Sequence, residues 1–231
     1  MAPESDVVEL PIGLVTPSGA ITEAKVRELN GFDEEAIARA KNFGSILLTI
    51  LERAVVSLGG EKPDQGLMRE LYLADRLAIL VGISRCTWGS NVVSTLVCPD
   101  CGEVNQIDFD LNDMEITKAQ PADAFFDVQL RKGTAKVHWP RGDVHEALLT
   151  TADVSSAMFR SVIINKCVDD IDGMPMFGDA AKRLSVPDRT KIVDTVNSIY
   201  LGPRFDLTSA PCPACGKEVT PAVALADLFP L

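Results

Sequence analysis

Four of the six cysteines fall in two copies of one pattern, Cys98-Pro99-Asp100-Cys101-Gly102 and Cys212-Pro213-Ala214-Cys215-Gly216. Two thiolates spaced by two residues can bind one ion from a tight turn, and the following glycine accepts the left-handed backbone that turns amides toward sulfur. One such turn supplies two ligands, whereas a closed zinc site takes four in a tetrahedron. Cys98, Cys101, Cys212 and Cys215 together are therefore expected to form a structural Zn2+ site of the zinc-ribbon kind, split by an unusually long insertion. Such a site would pin the C-terminal region to the middle of the chain.

Other uses of these cysteines account for less of the sequence. A redox pair needs a low-pKa thiol, commonly at a helix N-terminus, but both pairs are followed by strand-like sequence. A zinc deaminase combines His-x-Glu with Pro-Cys-x-x-Cys. Residues 211–215 match the second half, but His145 and Glu146 are adjacent and Cys98 and Cys101 would be left unused. His138 and His145 read as ordinary polar positions, Cys167 as a buried thiol on a helical face, and Cys86 as another core cysteine. In Val168-Asp169-Asp170-Ile171-Asp172-Gly173 a calcium loop fails at its first position, where valine replaces the required carboxylate. The chain holds no phosphate loop, no dinucleotide fingerprint and no convincing Ser-His-Asp set. No catalytic residue is assigned.

The elements that would position the cysteines can be read from periodicity and punctuation. Pro17-Ser18-Gly19 turns an opening hairpin within residues 1–30. In 31–90, Ile37, Ala40, Leu47, Ile50, Leu51, Ala54 and Leu58 recur at helical steps, capped by Asn30 or Asp33 and stopped by Gly59-Gly60. A second helical stretch over 63–85 should break near Tyr72 to Asp75. The first cysteine pair should tip a β-hairpin, and the second should sit between strands, so that 91–120 and 206–231 build the split ribbon. Residues 121–205 read as a hairpin turning at Lys132-Gly133 and then helices: one at 143–150 and one from about Asp153 to Val168 that carries Val154. An exposed excursion over 169–185 follows, and then a helix opened by Ser185 and Pro187 that carries Ile192, Val193, Val196, Ile199 and Tyr200. The expected fold class is α+β: a helical core with several β-hairpins and a split zinc-ribbon-like four-cysteine site, forming one integrated unit rather than separate domains.

Composition limits the partners. With 33 acidic and 22 basic residues, the net charge of −11 repels phosphate backbones and anionic lipid, and no basic patch offsets it. The N-terminal residues lack a basic start followed by an apolar run, and no stretch approaches the roughly 20 apolar residues that span a bilayer. The expected setting is the cytoplasm of the producing cell, with no membrane and no nucleic acid as partner.

The order of segments resembles the T4-like baseplate hub protein and assembly chaperone family of contractile phage tails and tail-like injection particles. It runs through "LPIGLVTPSGAI", "VRELNGFDEEAI", "ADRLAILVGISRCTWG", "CPDCG", "VQLRKGTAKVHWPRGDV" and a closing "CPACG" with "LADLF". "RELNGFDEEA" is similar to the family's Arg-Glu-Leu-Thr-Gly-x-Asp-Glu-Glu start, with Asn30 in place of threonine. "HWPRGDV" is similar to a Leu-Pro-Thr-Gly-x-Asp segment, with Trp139 and Arg141 departing from it. The resemblance implies a non-catalytic role in assembling, or forming a minor part of, a baseplate hub. Its implied partners are baseplate, hub or tail tube proteins, with self-association left open and incorporation into the particle allowed. Two readings compete with it: a zinc-ribbon nucleic-acid or transcription-associated factor, and a zinc-dependent hydrolase or deaminase.

Overall fold

The structure is a computed structural model that describes residues 5–150, 155–199, 201–205, 210–219 and 225–230. Strands β1 (Ser5–Thr16) and β2 (Gly19–Arg27) form the expected opening hairpin. At its turn, Thr16 Oγ1 donates to the carbonyl of Gly19. The register slips between Glu9 and Leu14, a bulge at Gly13. Gly13 has φ +77°, and a Cβ there would lie 2.6 Å from the carbonyl oxygen of Ile21, so only glycine fits.

Helix α1 (Gly31–Ile37) begins with a capping box, in which Asn30 accepts from Phe32 N and Asp33 accepts from Asn30 N. The helical periodicity expected to run on to Leu58 is interrupted. A second box, Asn42 with Ser45, starts α2 (Phe43–Ala54) afresh. The chain then leaves the helix at the β-branched pair Val55-Val56 and forms β3 (Val55–Leu58), which pairs with β2. Gly59 and Gly60, at φ +57° and +91°, therefore end a strand and not a helix.

Asp33 ties these elements together. Its carboxylate is fully buried, 2.6 Å from Arg27 Nη1 on β2 and 2.7 Å from Arg53 Nε on α2. Burial alone would raise its pKa, but the hydrogen bonds from Arg27 and Arg53 outweigh that and lower it to about 2.

The break in the next helical stretch falls at Leu71-Tyr72, between α3 (Gln65–Glu70) and α4 (Leu73–Trp88). Tyr72 offers no side-chain cap. Instead the segment beyond Trp139 lies alongside: Pro140 O accepts from Leu73 N, and Leu71 O accepts from Gly142 N. Helix α4 is buried on all sides, from Ala74 through Ser84 with the exception of Leu77, against β1, β2 and α2.

Strands β4 (Asn91–Val97) and β5 (Val104–Asp110) make a two-stranded antiparallel ribbon, and β6 (Ile116–Thr117) follows. The second hairpin, β7 (Phe125–Gln129) with β8 (Thr134–His138), lies at one side of a four-stranded sheet and is followed by α5 (Gly142–Thr150) and α6 (Ser156–Cys167). Ser155 caps α6; Asp153 and Val154 lie outside the described residues. The excursion expected over 169–185 begins inside the sheet, with β9 (Val168–Ile171) pairing with β8 and β10 (Met174–Pro175) pairing with β9. After α7 (Ala180–Arg183), Ser185 caps α8 (Val186–Ser198), which buries Ile192, Val193 and Val196; Tyr200 lies outside the described residues. Strand β11 (Gly202–Pro203) pairs with β6, and β12 (Ala210–Pro211) pairs with β13 (Glu218–Val219).

The protein is thus α+β, with two main apolar cores. One lies between the first sheet and α2 and α4, and the other between the second sheet and α6 and α8. Ile12, Tyr72, Ala74, Ala124 and Trp139 form a smaller cluster of their own. Among the described residues, no helix is long and apolar enough to cross a membrane.

Removing one partner of a buried ion pair costs about 3–5 kcal/mol, so Asp33→Asn should lower the unfolding free energy by roughly that amount. Because the folded pKa of Asp33 is depressed, its contribution is fully present above the ordinary carboxylate pKa of about 4 and is lost as pH falls toward about 2. Denaturant unfolding of parent and variant should therefore show a stability gap that is constant down to about pH 4 and narrows below it. A gap that widens on acidification would contradict the assigned ion pairs.

Candidate metal centre

The β4–β5 ribbon ends in the Cys98–Cys101 turn, and β12 and β13 flank the Cys212–Cys215 turn, as the sequence pattern suggested. The two turns share one backbone plan. Cys98 N donates to Glu103 O and Gly102 N to Cys98 O; Cys212 N donates to Lys217 O and Gly216 N to Cys212 O. Gly102 and Gly216 both occupy the left-handed region, at φ +77° and +73°. Equal spacing in sequence has produced equal hydrogen bonding in space.

The four sulfurs converge, all lying within 4.8 Å of one another. Cys98 Sγ is 3.8 Å from Cys215 Sγ, and Cys101 Sγ is 3.8 Å from Cys212 Sγ. Each close pair takes one sulfur from each turn, so neither knuckle closes on itself. These separations are well beyond the roughly 2.05 Å of a disulfide. Cys98 and Cys212 are buried with Val219 and Leu96, while Cys101 and Cys215 face outward. Backbone amides of Cys215 and Ala214 donate to Cys212 and bring its thiol down to about 6, whereas at Cys101 the Glu103 amide is outweighed by burial and the neighbouring sulfurs, which push it up to about 12, so the sulfurs share their protons as one group. An ion pair between Lys217 and Asp100 links the turns outside the sulfur cluster. Four close cysteines of this kind could hold a metal ion.

The remaining chemically interesting residues lie elsewhere. His138 and His145, read from sequence as ordinary polar positions, are both buried. His138 Nδ1 is 2.8 Å from Trp139 O, and Nε2 is 3.7 Å from Asp169. His145 is pushed down to about 3, first by burial and then by the Arg76 charge, which keeps it neutral at physiological pH. Cys167 is fully buried, and burial foremost raises its thiol to about 12, so it is inert. Cys86 is only half-buried. In the acidic turn, Asp170 accepts from Gly173 N and Asp172 from Thr134 N, so their oxygens serve the β9–β10 connection.

Sequence reasoning missed two buried charges on α4. The Asp75 carboxylate accepts from Ile12 N at 2.8 Å and from Gly13 N at 3.2 Å, filling the bulge of β1. Arg76, 1% exposed, reaches Glu146 on α5 at 3.4 Å. A Cβ at Gly142 would stand 2.1 Å from Arg76 Nη1, so this glycine makes room for the guanidinium. Nothing local marks either charge as buried, because their neighbours on α4 are apolar on every face. The groove at Ile12, Tyr72, Trp139 and Val196 has a volume of about 220 Å³ and is predominantly apolar.

Fold and centre together define an α+β protein whose middle and C-terminal region meet at a four-cysteine cluster. Residues 15–229 match a family model described as "T4 bacteriophage base plate protein", and the chain belongs to that family. No curated protein and no solved structure matches the chain.

The left-handed glycines generate the next expectation. A non-glycine residue in that region costs about 1–2 kcal/mol, equivalent to roughly tenfold in an equilibrium constant. Gly102→Ala and Gly216→Ala should each weaken uptake of an added divalent metal ion by about that factor, read by competition with a chromophoric chelator. Uptake equal to the parent's in both variants would show that these turns do not set the sulfur geometry.

Proposed function

We propose that this protein is a non-catalytic assembly chaperone or minor structural component of a contractile-tail baseplate hub, stabilised by a structural zinc ion. Membership of the base plate family over residues 15–229 carries the reading. It acts through protein contacts, with baseplate, hub or tail tube proteins as partners, in the producing cell as a chaperone or in the tail particle as a structural component. Residues 1–30, 31–90, 121–205 and the split ribbon of 91–120 with 206–231 work as one unit.

The spacing of the sulfurs supports zinc as the ion. Zinc–sulfur bonds of about 2.3 Å in a regular tetrahedron put ligand sulfurs about 3.8 Å apart, and two cross-knuckle pairs stand at 3.8 Å. Cys98, Cys101, Cys212 and Cys215 would all be ligands, which leaves no open coordination position for a reacting water. The ion supplies closure: structural zinc contributes about 10–16 kcal/mol of apparent binding free energy in small modules. A nucleic-acid role fits poorly, because residues 91–110 include Asp100, Glu103, Asp108 and Asp110 and no lysine or arginine.

Two measurements test this reading. Co-expressed with the tail tube and baseplate proteins encoded beside it, the chain should co-purify on a tag carried by one of them; its elution alone from every such preparation would overturn the assembly role. Metal analysis should give about one zinc per chain with an all-sulfur absorption spectrum. Cys212→Ser should lose the metal and lower the melting temperature. Full zinc content and unchanged melting in that variant would rule out the shared site.

A further inference from the structure

The four clustered sulfurs could be joined as two disulfides in three ways, and the structure separates them. Joining Cys98 to Cys212 would use two buried sulfurs and leave the outward-facing Cys101 and Cys215 to each other. An oxidant arriving from solvent meets an exposed sulfur first, so each bond should combine one exposed cysteine with one buried cysteine. Two pairings do this. One closes each turn on itself, Cys98 with Cys101 and Cys212 with Cys215. The other crosses between the turns, where Cys98 Sγ stands 3.8 Å from Cys215 Sγ and Cys101 Sγ stands 3.8 Å from Cys212 Sγ.

The surroundings favour crossing. Cys98 and Cys212 pack with Val219 and Leu96 in one small apolar cluster, and Lys217 pairs with Asp100 from the other turn. None of these contacts runs through a metal, so the turns stay side by side while their sulfurs react. Within each turn the backbone is already committed: Gly102 N donates to Cys98 O, Gly216 N donates to Cys212 O, and both glycines are left-handed. Bringing a cross-turn pair from 3.8 Å to the roughly 2.05 Å of a disulfide closes a gap between side chains and leaves both turns intact.

We propose that oxidation of this centre forms the cross-turn disulfides Cys98–Cys215 and Cys101–Cys212, replacing the closure a metal would provide with a covalent one. The oxidant is a peroxide. The thiolate of Cys101 or Cys215 attacks one peroxide oxygen, the O–O bond breaks, hydroxide leaves and a sulfenic acid remains. The thiolate of Cys212 or Cys98 then attacks that sulfur; the S–S bond forms and the S–O bond breaks with loss of a second hydroxide. Each disulfide takes two electrons from two thiolates and reduces one peroxide to two hydroxides, which two protons convert to water. Metal binding requires the thiolate, so a bound ion is released. The setting rests on the baseplate reading above: a reducing cytoplasm preserves the thiols, and disulfides persist on a released particle. The chemistry does not need that reading.

The experiment uses the full chain, with its metal content measured beforehand, titrated with hydrogen peroxide while a chromophoric chelator reports released metal. Remaining thiols are blocked with N-ethylmaleimide under acidic denaturation, and the unreduced chain is cut after lysine and arginine. Residues 86–118 then carry Cys98 and Cys101, and residues 205–217 carry Cys212 and Cys215. Cross-turn oxidation should join these two peptides, with loss of four of the six thiols. Tandem mass spectrometry should assign Cys98 to Cys215 and Cys101 to Cys212. The oxidised chain should melt above the reduced chain stripped of metal, and dithiothreitol should reverse both the joining and the shift. Separate peptides with internal bonds, a Cys98–Cys212 bond, or sulfinic and sulfonic acids in place of disulfides would each overturn the proposal. So would retention of all thiols in a large excess of peroxide after chelation. Joined peptides from a chain that binds no metal would sink the zinc reading and leave this one standing.

Discussion

Helix α4 has no face for solvent. From Ala74 to Ser84 every residue except Leu77 is buried, and a helix that is apolar all round must be covered all round. The cover comes from segments distant in sequence. Strand β1 lies along it, Asp6 pairs with Arg85, and the bulge at Ile12 and Gly13 is held by Asp75. On another side Glu146 meets Arg76, linking α4 to α5 of the second half. The end of the chain supplies a further part: Leu228 and Phe229 are buried, Ser84 donates to Leu228 O, and Phe229 meets Trp88 edge to face. The buried charges follow from the same requirement. Each is tolerated because a carboxylate or backbone amide faces it, and an uncompensated one would cost several kcal/mol.

The position of the cysteine cluster is a consequence of that cover. Cys101 and Cys212 are 111 residues apart, and closing a loop of about 100 residues costs on the order of 4.7 kcal/mol of chain entropy. Burial of Leu228 and Phe229 has already returned the C-terminal region to α4, while Ser94 reaches Asp227 from the ribbon. The knuckles therefore meet as neighbours, with less entropy left to lose. A metal held by the cysteines would add to the apolar packing and close one loop from two points. Loss of a metal bound there would loosen the region around 210–219 first, since the plug at 228–229 is held by contacts that involve no cysteine.

The cysteine cluster and the flanking hairpins were legible because their signals are local. Two identical spacings with glycine in the same place name a turn, and Asn30, Ser155 and Ser185 announce helix starts through short-range hydrogen bonds. Periodicity misled at residues 38–58. The apolar spacing continued through a point where Asn42 and Ser45 restart the helix, and Leu58 fell in helical phase while belonging to a strand. That outcome depends on β2 offering an edge to Val55, which no window of the local sequence contains. Asp75, Arg76, His138 and His145 were illegible as buried groups for a similar reason: their burial is set by segments elsewhere in the chain. In 169–185, β9 was hidden because only four residues pair, directly after a helix that ends at Cys167.

The fold places two demands on the β4–β5 ribbon. Its inner face must hold Val92 and Ser94 against the body of the protein, and its tip must hold two sulfurs in register with two others. Both requirements favour a stiff hairpin, and the β-branched residues of Asn91–Val97 supply it. A metal held by the four cysteines would add to that stiffness by fixing the tip of the ribbon against the β12–β13 turn. Charge acts at longer range. A net charge of −11 opposes self-association and steers basic surfaces toward the protein before any contact forms.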